Sequence, residues 1–188
     1  MRCHRPIGRT RAVNHSPTEN RPGLRDTTGN IGSGLRQGVV KGAVLVTGGA
    51  RRIGRAICLR LAADGHPIVV HYRRSDDEAE GLVDTIRSSG GTALALQSDL
   101  SDAASAISLV QRAGGESALG GIVNNASMFV HDDLDSVDTE CWDAHMDVNA
   151  RSPMLMIRAL NQQLDDDGRA CVVTVSYTHL TLPTTPYV

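Results

Sequence analysis

The sequence predicts an α/β fold, a doubly wound parallel sheet with flanking helices, on three observations. From Ala43 onward, short apolar runs rich in β-formers alternate with longer stretches of helical period, the pattern of a parallel sheet with crossover helices. A glycine-rich turn separates the first such run from the first helical stretch. The chain of 188 residues, with net charge −2 and 40% hydrophobic residues, can bury the core of one such domain.

The first predicted strand is Ala43–Thr47, followed across the turn by a helix over Ile53–Asp64. Pro67–Tyr72 is the second strand and Asp76–Ser88 the second helix. Thr92–Gln97 then leads to a helix over Asp102–Ala113, and Gly120–Asn124 to one long helix from about Asp138 to Leu164. Ala170–Val175 is the fifth strand, after which the pattern stops, so the sheet is expected to be incomplete there. Right-handed crossovers between parallel strands make the assembly doubly wound.

Composition excludes several function classes. The near-neutral balance offers no field for nucleic acid, aromatics at 3% are too sparse for base stacking, and no run approaches the ~20 apolar residues of a membrane span. Four dispersed cysteines, Cys3, Cys58, Cys141 and Cys171, form no C-x-x-C pair and suit a reduced cytoplasm. Residues 1–41 are rich in Arg, Gly and Pro without apolar period, and are expected to be a disordered extension or an upstream mis-start. Pro22 and the glycines around it interrupt the amphipathic helix that a transit peptide would need.

The turn reads Thr47-Gly48-Gly49-Ala50-Arg51-Arg52-Ile53-Gly54, with a strand before it and a helix opening behind it. Glycine lets backbone approach a pyrophosphate, and a helix amino terminus offers unpaired N–H groups and the positive end of a dipole. A plain strand-to-helix turn is the alternative; the second strand about 20 residues on favours a dinucleotide. That strand ends His71-Tyr72-Arg73-Arg74-Ser75, without the acidic residue that holds a ribose 2′-hydroxyl in NAD sites. Guanidiniums and a hydroxyl suit a 2′-phosphate, and Arg51 or Arg52 of the turn points to the same region, against the alternative of a solvated basic strand end.

These residues resemble the short-chain dehydrogenase/reductase family, a Rossmann-type fold, and within it the pteridine reductase-like branch, over about residues 42–174. The family turn is T-G-x-x-x-G-x-G, and Arg52 stands where its middle glycine does, as in pteridine reductases. The resemblance covers H-Y-x-R-S at 71–75, an adenine-edge pair at Asp99-Leu100, and Asn124-Asn125-Ala126-Ser127 in place of N-N-A-G. It implies NADP(H) as cofactor, held through Thr47, Gly48, Arg51, Arg52, Ile53, Gly54, His71, Tyr72, Arg73, Arg74, Ser75, Asp99, Leu100, Asn125, Ala126 and Ser127. It further implies that Phe129 stacks a pterin ring against the nicotinamide, the alternative being a core or loop hydrophobe. It also implies that Asn149, ahead of Pro153, orders a water behind the catalytic lysine, the alternative being a mere helix irregularity. The implied activity is NADPH-dependent reduction of a pterin or a related carbonyl or imine. A 3-oxoacyl thioester or sugar ketone is the second substrate choice, and a non-catalytic NADPH-binding protein the alternative of another class.

The family also requires a serine or aspartate after the fifth strand, a position taken by Ser176, and then Tyr-x-x-x-Lys on the next helix. Lys41 is the only lysine, and neither Tyr177 nor Tyr187 has a lysine four residues on. The run from Val175 to Thr184 resembles the translation of a transposase adapter used in sequencing-library preparation. Residues 175–188 are therefore expected to be non-native, and the chain as written to be poorly soluble and inactive. Its parent is expected to be a cytoplasmic homodimer or homotetramer acting on a small molecule. His131-Asp132-Asp133 and His145 lack the ligand spacing of a metal site, and Asp165-Asp166-Asp167-Gly168 reads as a helix-ending turn.

Overall fold

A computed structural model describes residues 42–115, 119–130 and 135–176. The elements run β1 (Val44–Val46), α1 (Arg52–Ala63), β2 (Ile68–Tyr72), α2 (Asp76–Ser88), β3 (Ala93–Gln97), α3 (Ala103–Gly114), β4 (Gly121–Asn124), α4 (Thr139–Met146), α5 (Ser152–Asn161) and β5 (Cys171–Thr174). All five strands pair in parallel in the order β3-β2-β1-β4-β5. The chain thus starts in the middle of the sheet, winds outward to β3, and returns past β1 to β4. The resulting crevice between β1 and β4, at their carboxyl ends, is where open α/β sheets take ligands.

Strand periodicity divides the core into two layers. Val44, Val46, Ile68 and Val70 pack with Cys58, Leu82 and Ile86 under α1 and α2. Leu45, Val69 and Ile122 face the other way, onto Leu109, Val110, Met156 and Leu160 of α3 and α5. Both faces of the central strands are therefore buried, which is why these strands read as continuous apolar runs. β5 forms one edge, and its Val172 and Val173 are exposed.

The long helix expected from about Asp138 to Leu164 is corrected in its middle. A π-helical turn over Asp147–Arg151 separates α4 from α5, and the Ser152 N–H reaches back five residues to the Asp147 carbonyl. Pro153 supplies a reason: it has no N–H to donate to the carbonyl of Asn149, four residues earlier, so the regular ladder fails there. An ion pair between Arg151 and Asp147 flanks the irregular turn. Among the described residues, no helix is long and apolar enough to cross a membrane.

The expected extension over 1–41, most of the expected tail, Tyr177, Tyr187 and His131-Asp132-Asp133 lie outside the described residues.

Candidate functional site

A cleft of about 550 Å³ opens over the crevice between β1 and β4. One wall is the turn from β1 into α1, contributing Gly48, Arg51, Arg52, Ile53 and Gly54. His71 and Arg73 from the end of β2, and Asp99 and Leu100 after β3, line the next side. Asn125, Ala126, Ser127, Met128 and Phe129 follow β4, and Val148 of the π turn closes the far end.

The turn is shaped for close backbone approach. Gly48 has φ +60°, and a Cβ on it would stand 3.1 Å from the Ala126 Cα. A Cβ on Gly54 would collide with the Gly48 carbonyl and the Asn125 side chain, so the first turn of α1 lies directly on the loop. Arg52 has φ +48°, a left-handed conformation that costs an ordinary residue about 1 kcal/mol and that glycine adopts freely. No side chain caps α1, and its first turn holds no acidic residue. Its leading N–H groups are therefore available to an anion in the cleft.

Several expected contact residues act behind this surface. The Thr47 hydroxyl donates to the Val123 carbonyl at 3.3 Å and accepts the N–H groups of Asn125 and Ala126, each at 2.9 Å. The Asn125 amide donates to the carbonyls of Thr47 and Gly48 at 2.9 and 3.2 Å. Together they lock the loop after β1 to the loop after β4, across the crevice.

His71, 2% exposed, stands under the same loop. Its Nδ1 accepts the Gly48 N–H at 3.1 Å, while Nε2 lies 3.2 Å from the Ser98 carbonyl. Only a neutral ring with its proton on Nε2 satisfies both partners. Burial pushes its pKa down to about 4, Arg112 adding to the effect against the opposing Ser98 bond and Asp99 charge. His71 is thus a neutral strut between the glycine turn and the end of β3.

The cations divide into engaged and free. Arg73 grips the Asp99 carboxylate with Nε at 3.0 Å and a terminal nitrogen at 2.9 Å. The other Asp99 oxygen accepts the Ser101 N–H at 2.9 Å and hydroxyl at 2.7 Å. Burial alone would raise the Asp99 pKa; the Ser101 bonds and the Arg73 charge outweigh it and hold the carboxyl below its ordinary range. Arg51 reaches Glu78 at 3.5 Å across an exposed surface. Arg52 and Arg74 are exposed and have no ion-pair partner among the described residues.

The remaining sites fall at the margins. Tyr72 packs against the core on the α1/α2 side and lies outside the cleft lining, while Ser75 precedes α2 without capping it through its side chain. Ser176 is exposed two residues beyond β5 and is not among the lining residues, although the Val175 N–H before it bonds to the Asn124 carbonyl just ahead of Asn125. Asn149, in the π turn, is tied to Met128 twice at 2.8 Å, accepting its N–H and donating to its carbonyl. Phe129 is 75% exposed at the cleft mouth.

His145, considered in the sequence only for metal binding, also belongs to this region. Its Nε2 accepts the Val130 N–H at 3.0 Å, and its ring lies edge-on to Phe129 with centroids 6.5 Å apart. No group of three His, Cys, Asp or Glu residues fit to hold a metal occurs among the described residues.

Comparison with known proteins agrees with this geometry. The family model for short chain dehydrogenases matches residues 42–183, running past Thr174 into the segment with an expected adapter origin. An uncharacterized oxidoreductase of Methylorubrum extorquens is 33% identical over 141 residues, 74% of this chain and 57% of the relative. The 3-oxoacyl-[acyl-carrier-protein] reductase of Staphylococcus aureus is 28% identical over 135 residues, 71% of this chain and 55% of the relative. Among solved structures, the alternative dihydrofolate reductase 1 of Brucella suis in complex with NADP superposes with a TM-score of 0.68 at 38% identity. That match covers 72% of this chain and 57% of the other. The chain spans about half the length of the curated relatives it matches.

Proposed function

Because the chain belongs to the short-chain dehydrogenase/reductase family, we propose that it is the cofactor-binding part of an NADPH-dependent reductase acting on a pterin or a related carbonyl or imine. One observation carries the cofactor choice. The end of β2 offers guanidiniums and no carboxylate, and Arg52 and Arg74 are left without ion-pair partners among the described residues. A 2′-phosphate supplies the anion that they lack, and a bare ribose hydroxyl does not.

The residues present fit the cofactor. The uncapped start of α1 would take the pyrophosphate, Arg52 of the cleft lining the 2′-phosphate together with Arg74 and Ser75, which follow the lining residue Arg73 in sequence, and Asp99-Leu100 the adenine edge. The loop from Asn125 to Ser127 would flank the nicotinamide half. When bound, NADPH supplies the hydride. This chain's residues orient it: Thr47, Asn125 and His71 fix the loops, and Asn149 fixes the segment that carries Phe129. The exposed Phe129 ring at the cleft mouth offers a stacking face to a flat heteroaromatic substrate. The Brucella suis reductase, whose own description names both dihydrofolate reduction and NADP, supports this substrate class.

A 3-oxoacyl thioester is the second reading, favoured by the similarity to the Staphylococcus aureus reductase. The proton donor for either substrate is proposed to be a tyrosine of a Tyr-x-x-x-Lys pair encoded beyond Thr174 in the parent gene, with residues 175–188 non-native, Ser176 included. The chain as given is then inactive, and its parent a cytoplasmic homodimer or homotetramer.

The test is to amplify the source locus through the Thr174 codon, express the continuous reading frame, and follow NADPH oxidation with dihydrobiopterin, an acetoacetyl thioester and a sugar ketone. Preference for dihydrobiopterin supports the proposal, and preference for either of the others moves the enzyme to that class. A frame without Tyr-x-x-x-Lys makes it a non-catalytic NADPH-binding protein.

A further inference from the structure

Phe129 has little to hold it. It sits 75% exposed in an irregular segment after β4, and its one ring contact among the described residues is the edge of His145. A mobile ring is a poor stacking wall, since ordering it on binding would oppose affinity. Its direction must come from the backbone on either side.

Both sides are clamped by one helical segment. Asn149 takes the N–H and carbonyl of Met128, the residue before Phe129. His145, four residues earlier on the same face, takes the N–H of Val130, the residue after it, at 3.0 Å. The His145 Nδ1 lies 2.9 Å from the Cys141 carbonyl. In the neutral ring Nδ1–H donates to that carbonyl, which leaves the Nε2 lone pair to accept from Val130. The helix thus fixes the tautomer, and the tautomer fixes the loop.

We propose that His145 is a positioning residue that sets the orientation of Phe129 and thereby the affinity for a flat heteroaromatic substrate, without a part in cofactor binding. The substrate half of this statement rests on the pterin reading above; the loop half does not. It assigns to His145 a role that its position outside the cleft lining conceals.

Two readouts separate the halves. Hydrogen exchange at the Val130 amide of the full chain, resolved by NMR, reads the clamp directly. His145→Leu should speed it about tenfold, the size of one lost hydrogen bond, whereas His145→Gln, which retains an acceptor, should stay within about threefold of wild type. Titration of the NADP⁺-loaded chain with biopterin should show about a fivefold to tenfold weakening in His145→Leu and recovery in His145→Gln, with NADPH affinity unchanged in both. Unchanged Val130 exchange in His145→Leu overturns the proposal. So does parallel loss of NADPH and biopterin binding without rescue by glutamine, which marks a merely structural residue. Biopterin binding that weakens in Phe129→Ala but not in His145→Leu likewise overturns it. If Phe129→Ala leaves biopterin binding untouched, the pterin reading fails instead, and the exchange rates alone decide the role of His145.

Discussion

Acid should destabilise this fold through His71 by a predictable amount. The ring is buried, with Nδ1 accepting from Gly48 and Nε2 at the Ser98 carbonyl, so a second proton would set N–H against N–H under the glycine turn. In the folded chain the pKa is held near 4, against 6.5 for the free side chain. The unfolded chain therefore takes up the proton first as pH falls. The stability contributed by neutral His71 is complete above 6.5, declines as pH falls from there, and is lost by about 4. The interval corresponds to about 3 kcal/mol at most, of which about 1.4 is lost by pH 5.5 and about 2.5 by pH 4.5. Carboxylates titrate over part of the same range, so the measurement is a difference. Urea unfolding free energies are taken at pH 7, 5.5 and 4.5 for the wild-type chain and for His71→Gln, which cannot titrate. The wild type should lose about 2 kcal/mol more than the variant between pH 7 and 4.5. Equal losses in the two proteins, or an NMR titration of the His71 ring with a midpoint near 6.5, would refute the neutral-strut reasoning.

Three further outcomes follow from the same geometry. Arg52→Gly should raise stability by up to about 1 kcal/mol, by relieving the positive φ, while weakening NADPH binding; urea midpoints and cofactor fluorescence should move in opposite senses. Gly54→Ala should abolish cofactor binding, because the added methyl group collides with the Gly48 carbonyl, and a variant titrating like wild type would contradict the described turn. Asn149→Ala removes both bonds to Met128 and should cost about 1–2 kcal/mol, with faster exchange at the Met128 amide as its local signature.

The sheet was legible because its strands carry their own pattern. Each observed strand lies inside the expected run, and Asp76–Ser88 matches the expected helix at both ends. The π turn was legible only as the alternative reading of Asn149, an asparagine ahead of Pro153 marking a helix irregularity, since hydrophobic period continues through it. Within the site, residue type identified the region but not each residue's task. In Ile68–Tyr72 both strand faces are buried, so alternation alone does not tell a residue that supports the loop from one that faces the cofactor, and the role of His71 comes from its bonds to Gly48 and Ser98. The pairing of Arg73 with Asp99 joins the ends of β2 and β3 and has no local signal in either stretch. His145 stands four residues before Asn149, a spacing that places both on one helical face; considered for metal alone, that spacing went unused.

The most direct measurement is the affinity of this chain for NADPH and NADH, titrated side by side at low salt and again in Arg74→Ala. A preference for NADPH of about tenfold or more, shrinking in the variant, is what a 2′-phosphate held by unpaired guanidiniums produces. Equal affinities in wild type, or a preference for NADH, would contradict it.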